Sequence, residues 1–139
     1  MCYYDYNVRR SSLIKGGGTT NNAAISSDVI RGYIDVMILR VLHDSDSYGY
    51  EISKIITEMS DNSYTMKETT LYSAFSRLEN LGYLYSYPGS VSGGRERTYY
   101  SLTDIGKEYY YQKCHEWAFT KALITRFILL KEGDTNGSD

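Results

Sequence analysis

The sequence predicts a mainly α protein with a small β-hairpin (α+β): a winged helix-turn-helix domain followed by one long C-terminal helix. Three observations carry that prediction. Two stretches of helical apolar period, about residues 48–59 and 68–81, are joined by a short polar link. Two strand-like runs rich in tyrosine, 83–87 and 95–102, follow the second stretch directly. From Ile105 to about Lys131, no proline or glycine interrupts the chain after Gly106.

The totals bound what these elements can do. At 139 residues there is length for one domain with a short appendage, and 42% hydrophobic content suffices for a packed core. A net charge of −2 gives no global attraction to nucleic acid, so any such contact must rest on local placement of cations. Cys2 and Cys114 are far apart and outside any CxxC spacing, which suits neither a disulfide framework nor zinc. No apolar run approaches the ~20 residues of a membrane helix, and the N-terminus lacks a signal-peptide core. A cytoplasmic protein without membrane contact is the expectation. Sixteen tyrosines point to half-buried faces such as interfaces or a pocket.

Element by element, residues 1–25 read as a flexible extension, because Gly16-Gly17-Gly18 precedes small polar residues. The alternative is a basic arm in which Arg9 and Arg10 reach a minor groove. Ser26 and Ser27 are N-cap candidates for a first helix with Ile30, Tyr33, Ile34, Met37, Ile38, Val41 and Leu42 on one stripe. Val29, Val36 and Leu39 make it apolar elsewhere too, so it needs cover on two sides. Residues 43–47 form a turn, the second helix runs from about Tyr48 to Met59, and Tyr64-Thr65-Met66 is a candidate short strand.

The third helix, Glu68 to about Leu81, places Leu71, Ala74, Phe75, Leu78 and Leu81 inward, and Gly82 supplies its left-handed cap. Pro88 to Gly94 reads as a hairpin tip too long for a two-residue turn. Thr103 caps the last helix, which at 1.5 Å per residue would extend roughly 40 Å. That is more than this small domain can cover, and an intermolecular helix pair resolves it. The predicted organisation is an extension over 1–25, the winged domain over 26–103, a dimerisation helix over 104–132 and a disordered tail over 133–139.

A helix that reads DNA must enter a groove ~12 Å wide and offer short donors and acceptors to base edges. Thr69, Thr70 and Ser73 suit that role, Arg77 would reach a phosphate or a guanine, and Lys67 and Tyr72 complete the candidate set on this helix. In the wing, Arg95 and Arg97 are placed to lie against the DNA backbone. The competing assignments are a surface pairing of Arg77 with Glu79 or solvent, and an ordinary exposed hairpin for the two wing arginines.

Three motifs in order resemble those of the PadR family of transcriptional regulators, over about residues 28–130. Tyr48-Gly49-Tyr50-Glu51-Ile52 is similar to that family's YGYEI segment. Thr70-Leu71-Tyr72 with Arg77-Leu78-Glu79-Asn80-Leu81-Gly82 is similar to its TLYxxxxRLExxG recognition helix. Gly93-Gly94-Arg95-Glu96-Arg97-Thr98-Tyr99-Tyr100-Ser101-Leu102-Thr103-Asp104-Ile105-Gly106 is similar to its GGRxRxYYxLTxxG wing. The resemblance implies a repressor that binds double-stranded operator DNA as a homodimer built by exchange of the last helix. It also implies release by a small molecule. Glu96 departs from the pattern, since a carboxylate between the wing arginines repels phosphate.

Trp117 lies eleven residues after Gly106, as does the tryptophan of the multidrug-sensing members, in which it stacks planar aromatic compounds between subunits. The resemblance places Val29, Gly32, Asp35, Val36, Trp117 and Lys121 around such a site. Lys121 stands where those regulators carry an acid, and Asp35 either compensates or pairs with it. The alternative for Trp117 is a packed interface anchor. His43 and His115 have no motif partners, and no glycine run is followed by the Lys-Ser/Thr of a phosphate loop. No catalysis, cofactor or metal is expected. A second reading from another class is a winged-helix protein-interaction module that dimerises without sequence-specific DNA binding.

Overall fold

The computed structural model describes residues 25–129. Among them are five helices and one three-stranded sheet: α1 Ser27–Arg31, α2 Ile34–Asp44, β1 Ser47–Tyr48, α3 Gly49–Met59, α4 Glu68–Asn80, β2 Leu84–Ser92, β3 Arg95–Leu102 and α5 Asp104–Thr125. The sheet is antiparallel with order β1-β3-β2. This is the α+β winged helix-turn-helix that the periodicities predict. The expectations for residues 1–24, with Arg9 and Arg10, and for 130–139 lie outside the described residues.

The core is the meeting place of α2, α3, α4 and the inner face of the sheet. Ile38, Leu39, Ile52, Phe75 and Leu78 are its largest fully buried side chains. Phe75 stacks on Tyr100 with ring centroids 3.9 Å apart and planes 19° from parallel. The wing is thereby attached to the inner face of α4, and the two are not independent elements.

Several elements differ from the sequence expectation. The first helix is not continuous: α1 and α2 are separated at Gly32 and Tyr33, where Tyr33 takes the non-helical pair φ −117°, ψ 0°. Glycine and tyrosine both hold a helix less firmly than alanine or leucine, and the break lets Tyr33 set its ring edge-on to Trp117 at 5.3 Å. Tyr64-Thr65-Met66 is not a strand. Asp61 and Asn62 take positive φ, a conformation these two residue types tolerate, and the chain then drops Met66 into the core. The third strand is instead Ser47–Tyr48, pairing with Tyr100 and Tyr99.

The hairpin tip is also tighter than expected. β2 continues through an irregularity between Pro88 and Val91, and Ser92 pairs with Arg95. Only Gly93 and Gly94 remain in the turn, at φ +64° and +79°. A two-residue turn with both φ positive matches the right-handed twist of the strands, and glycine occupies it without steric cost. Leu81, expected inside, is exposed, because α4 stops at Asn80 and Gly82 turns the chain at φ +79°.

Helix α5 begins as read: the Thr103 hydroxyl accepts from the Gly106 amide (3.0 Å) and donates to the Gly82 carbonyl (2.7 Å). It ends at Thr125 rather than near Lys131, with Arg126 and Phe127 in a turn, so its length is about 33 Å. Only Gly106 and Tyr110 on it are buried. Beyond Tyr110 it carries Trp117, Phe119, Leu123 and Ile124 in the open, with Phe127, Ile128 and Leu129 following.

Candidate functional site

Helix α4 presents a continuous hydrophilic outer face. Thr69, Ser73, Ser76 and Asn80 recur at helical spacing and are exposed, with Lys67 just ahead of the first turn and Thr70 half-buried at its edge. Ser76 is absent from the sequence-derived set, although its position seven residues after Thr69 puts it on the same stripe. Tyr72 is partly exposed, but its ring does structural work. It lies edge-on to Phe75 (5.6 Å), and its hydroxyl sits 2.7 Å from where a Cβ on Gly49 would be. Gly49 is therefore the socket for Tyr72, which fastens α4 to α3 and fixes the angle between the two helices of the motif.

Arg77 is half exposed to solvent, and its acidic partner is not Glu79. Its guanidinium is bound to the Asp35 carboxylate in the first turn of α2. Asp35 accordingly does not pair with Lys121. One residue expected to contact DNA and one expected to line a ligand pore thus meet in a single ion pair across 42 positions of sequence.

In the wing, Arg95 and Glu96 are exposed beside the tip. Arg97 lies over the Tyr48 ring at 4.2 Å from its centroid, a cation–π contact. Tyr48, Tyr99 and Tyr87 sit in register across the three strands, and the Tyr87 hydroxyl donates to Asp46 at 2.6 Å. That hydrogen bond to a carboxylate pushes the Tyr87 phenol up to about 12. It ties the outer strand to the turn before β1.

The six residues expected around one ligand are divided within the protomer. Val29, Trp117 and Lys121 line an apolar cavity of about 370 Å³ together with Tyr33 and Ile124. Gly32, Asp35 and Val36 line a separate, more polar cleft of about 550 Å³, whose other wall is Thr69, Ser73 and Arg77 of α4. Tyr33 was not among the six. Its place on the apolar stripe of the first helix read as core, and only the break after Gly32 turns it toward Trp117. Among the described residues no group of three His, Cys, Asp or Glu could hold a metal ion.

The profile of the PadR-like family of transcriptional regulators matches residues 38–112, which span α2 from Ile38, the helix pair, the wing and the start of α5. This chain belongs to the PadR-like family. A solved transcriptional regulator from Clostridium thermocellum is similar to it, with 56% identity and a TM-score of 0.70 over 76% of this chain and 99% of that one. A PadR family transcription regulator from Clostridium difficile is similar at 40% identity and a TM-score of 0.61, over 69% and 98%. Uncharacterized protein X of Lysinibacillus sphaericus is 44% identical over 104 residues, 75% of this chain and 95% of that protein. The chain is a PadR-like transcriptional regulator, and no helix among its described residues is long and apolar enough to cross a membrane.

Proposed function

We propose that this PadR-like regulator is a cytoplasmic repressor that binds a palindromic operator as a homodimer. The observation that carries the reading is the exposed stripe Thr69–Ser73–Ser76 on a helix whose inner face, through Phe75, holds a wing tipped by Arg95. Short hydroxyls offer donors and acceptors to base edges, while a cation beside a tight glycine turn sits against the backbone. The apolar row on α5 from Trp117 to Ile124 supports pairing with a second copy, since a single protomer leaves these side chains exposed to water.

Release by a planar aromatic compound at Trp117 belongs to the same proposal. The cavity under Trp117 is apolar apart from Lys121 and the threonines at its rim, and its volume is within the range of small-ligand sites. Lys121 would favour a neutral or anionic compound over a cation. Footprinting on the DNA upstream of its own coding sequence tests the operator reading. Two protected half-sites about 34 Å apart, or a multiple of that, are expected, and an unprotected fragment would count against it. A protein-docking role is the second reading, favoured by the tyrosine face of the sheet and by Glu96. It predicts association that responds weakly to salt.

A further inference from the structure

Three cations line the cleft beside the outer face of α4, and each is matched with an acid. Arg31 pairs with Asp28 (3.4 Å) and Lys113 with Glu116 (3.0 Å), both within one helical turn. Arg77 is the exception in kind: its partner, Asp35, comes from another element. Arg31, Asp35, Arg77 and Lys113 all line the 550 Å³ cleft, whose α4 wall is continuous with the hydroxyl stripe proposed to read DNA.

We infer that the Arg77–Asp35 pair is an oxyanion seat with a built-in occupant. The Asp35 carboxylate holds in the free protein the place that a DNA backbone phosphate takes in the complex. The inference rests on the DNA-binding reading above and names a residue that tunes it. A guanidinium fork accepts carboxylate and phosphate with the same planar, two-donor geometry. The pair is open enough to exchange, with 49% of the Arg77 side chain and 25% of that of Asp35 exposed. Pairs of that exposure are weak and screened by salt. Lys113 and Arg31 at the same cleft attract a phosphate as they attract Asp35, and a duplex brings neighbouring phosphates that one fixed carboxylate does not. In a chain of net charge −2, such a carboxylate lowers affinity for non-specific DNA and leaves Arg77 to be released only where the helix is seated.

The test is fluorescence anisotropy with a labelled duplex from the region upstream of the protein's own gene, using wild type, Asp35→Asn, Arg77→Gln and the double variant. Asparagine keeps the shape of Asp35 and removes its charge. Asp35→Asn is expected to bind about two- to fivefold tighter at low salt, because no ion pair has to be opened. Its salt dependence should steepen by about one phosphate equivalent, roughly threefold more loss between 50 and 200 mM. Both effects should vanish on the Arg77→Gln background. Weaker binding by Asp35→Asn would mean that the pair only braces α4, and an equal gain on both backgrounds would mean a general charge effect; either overturns the proposal. If Asp35→Asn fails to give the wild-type melting profile, Asp35→Ser carries the same expectation. If wild type itself does not bind the duplex, the DNA-binding reading fails first.

Discussion

Phe75 is where α4 and the wing become one body, and its replacement by leucine measures that connection. The ring is 1% exposed, stacks on Tyr100 at 3.9 Å and meets the edge of Tyr72 at 5.6 Å. Truncation to alanine would cost about 3–5 kcal/mol, a large part of the 5–15 kcal/mol that holds a domain folded, and would report little more than unfolding. Leucine keeps most of the apolar volume. What it loses is the stacking and edge contact, about 0.5–1.5 kcal/mol for each aromatic pair, and the shape match, worth less than about 1.5 kcal/mol. The expected loss is therefore about 1–4.5 kcal/mol. The assay is urea unfolding followed by far-ultraviolet circular dichroism at fixed protein concentration, since dimerisation would make stability concentration-dependent. The midpoint should fall with an unchanged slope, and DNA affinity should fall with it. A loss below about 0.5 kcal/mol, within the range of ordinary surface substitutions, would refute the claim that this stack joins the wing to α4.

Three further outcomes follow from other contacts. A Cβ on Gly106 would lie 2.2 Å from the Tyr83 carbonyl oxygen, so Gly106→Ala must push α5 off the hairpin. It should destabilise by about 1–3 kcal/mol despite alanine's better helix propensity, and a variant as stable as wild type would contradict the packing. The Tyr87 phenol is raised to about 12 from an ordinary value of 10.0, so its neutral form is favoured in the fold. The hold it gives the hairpin is complete below pH 10 and is lost as pH rises toward 12. Burial also raises Tyr64 and Tyr100, so phenolate absorbance should show several late-titrating tyrosines, one of which should titrate earlier in Asp46→Asn. Titration of Trp117 fluorescence with neutral, anionic and cationic planar aromatics should give saturable quenching, strongest for compounds that tolerate Lys121 and abolished by Tyr33→Ala. No response to any of them would leave Trp117 as a packing residue.

How far the sequence carried depends on what kind of signal each feature leaves. The helices announced themselves through apolar period, and the buried Ile52, Ile56, Leu71, Phe75 and Leu78 lie where that period puts them. The caps at Ser26 and Thr103 were visible because a hydroxyl before an apolar run has few other uses. β1 was not visible, since two residues cannot show an alternation and Ser47–Tyr48 is extended only because β3 lies beside it. The tight Gly93–Gly94 turn was hidden by Pro88 and Gly89, which look like loop but belong to an irregular strand. Among site residues, Thr69 and Ser73 on the outer face of α4 were legible from spacing, whereas Ser76 was missed although it lies on the same stripe. The partner of Arg77 was not, because Asp35 is 42 positions away and nothing local marks the pair. The division of the expected ligand residues into two cavities likewise follows from the break at Gly32–Tyr33, which helical periodicity passes over.

The proposed grip of this PadR-like regulator on duplex DNA runs through the outer face of α4 and the wing. It is tested most directly by anisotropy titration of the upstream duplex with wild type and with a Thr69→Ala, Ser73→Ala, Ser76→Ala triple variant, repeated from 50 to 200 mM salt. Saturable binding by wild type, with a steep loss of affinity across that salt range, is the predicted result. The triple variant should keep the wild-type melting profile and bind the upstream duplex no better than an unrelated one. Equal binding of both proteins to both duplexes, or association insensitive to salt, would contradict the account.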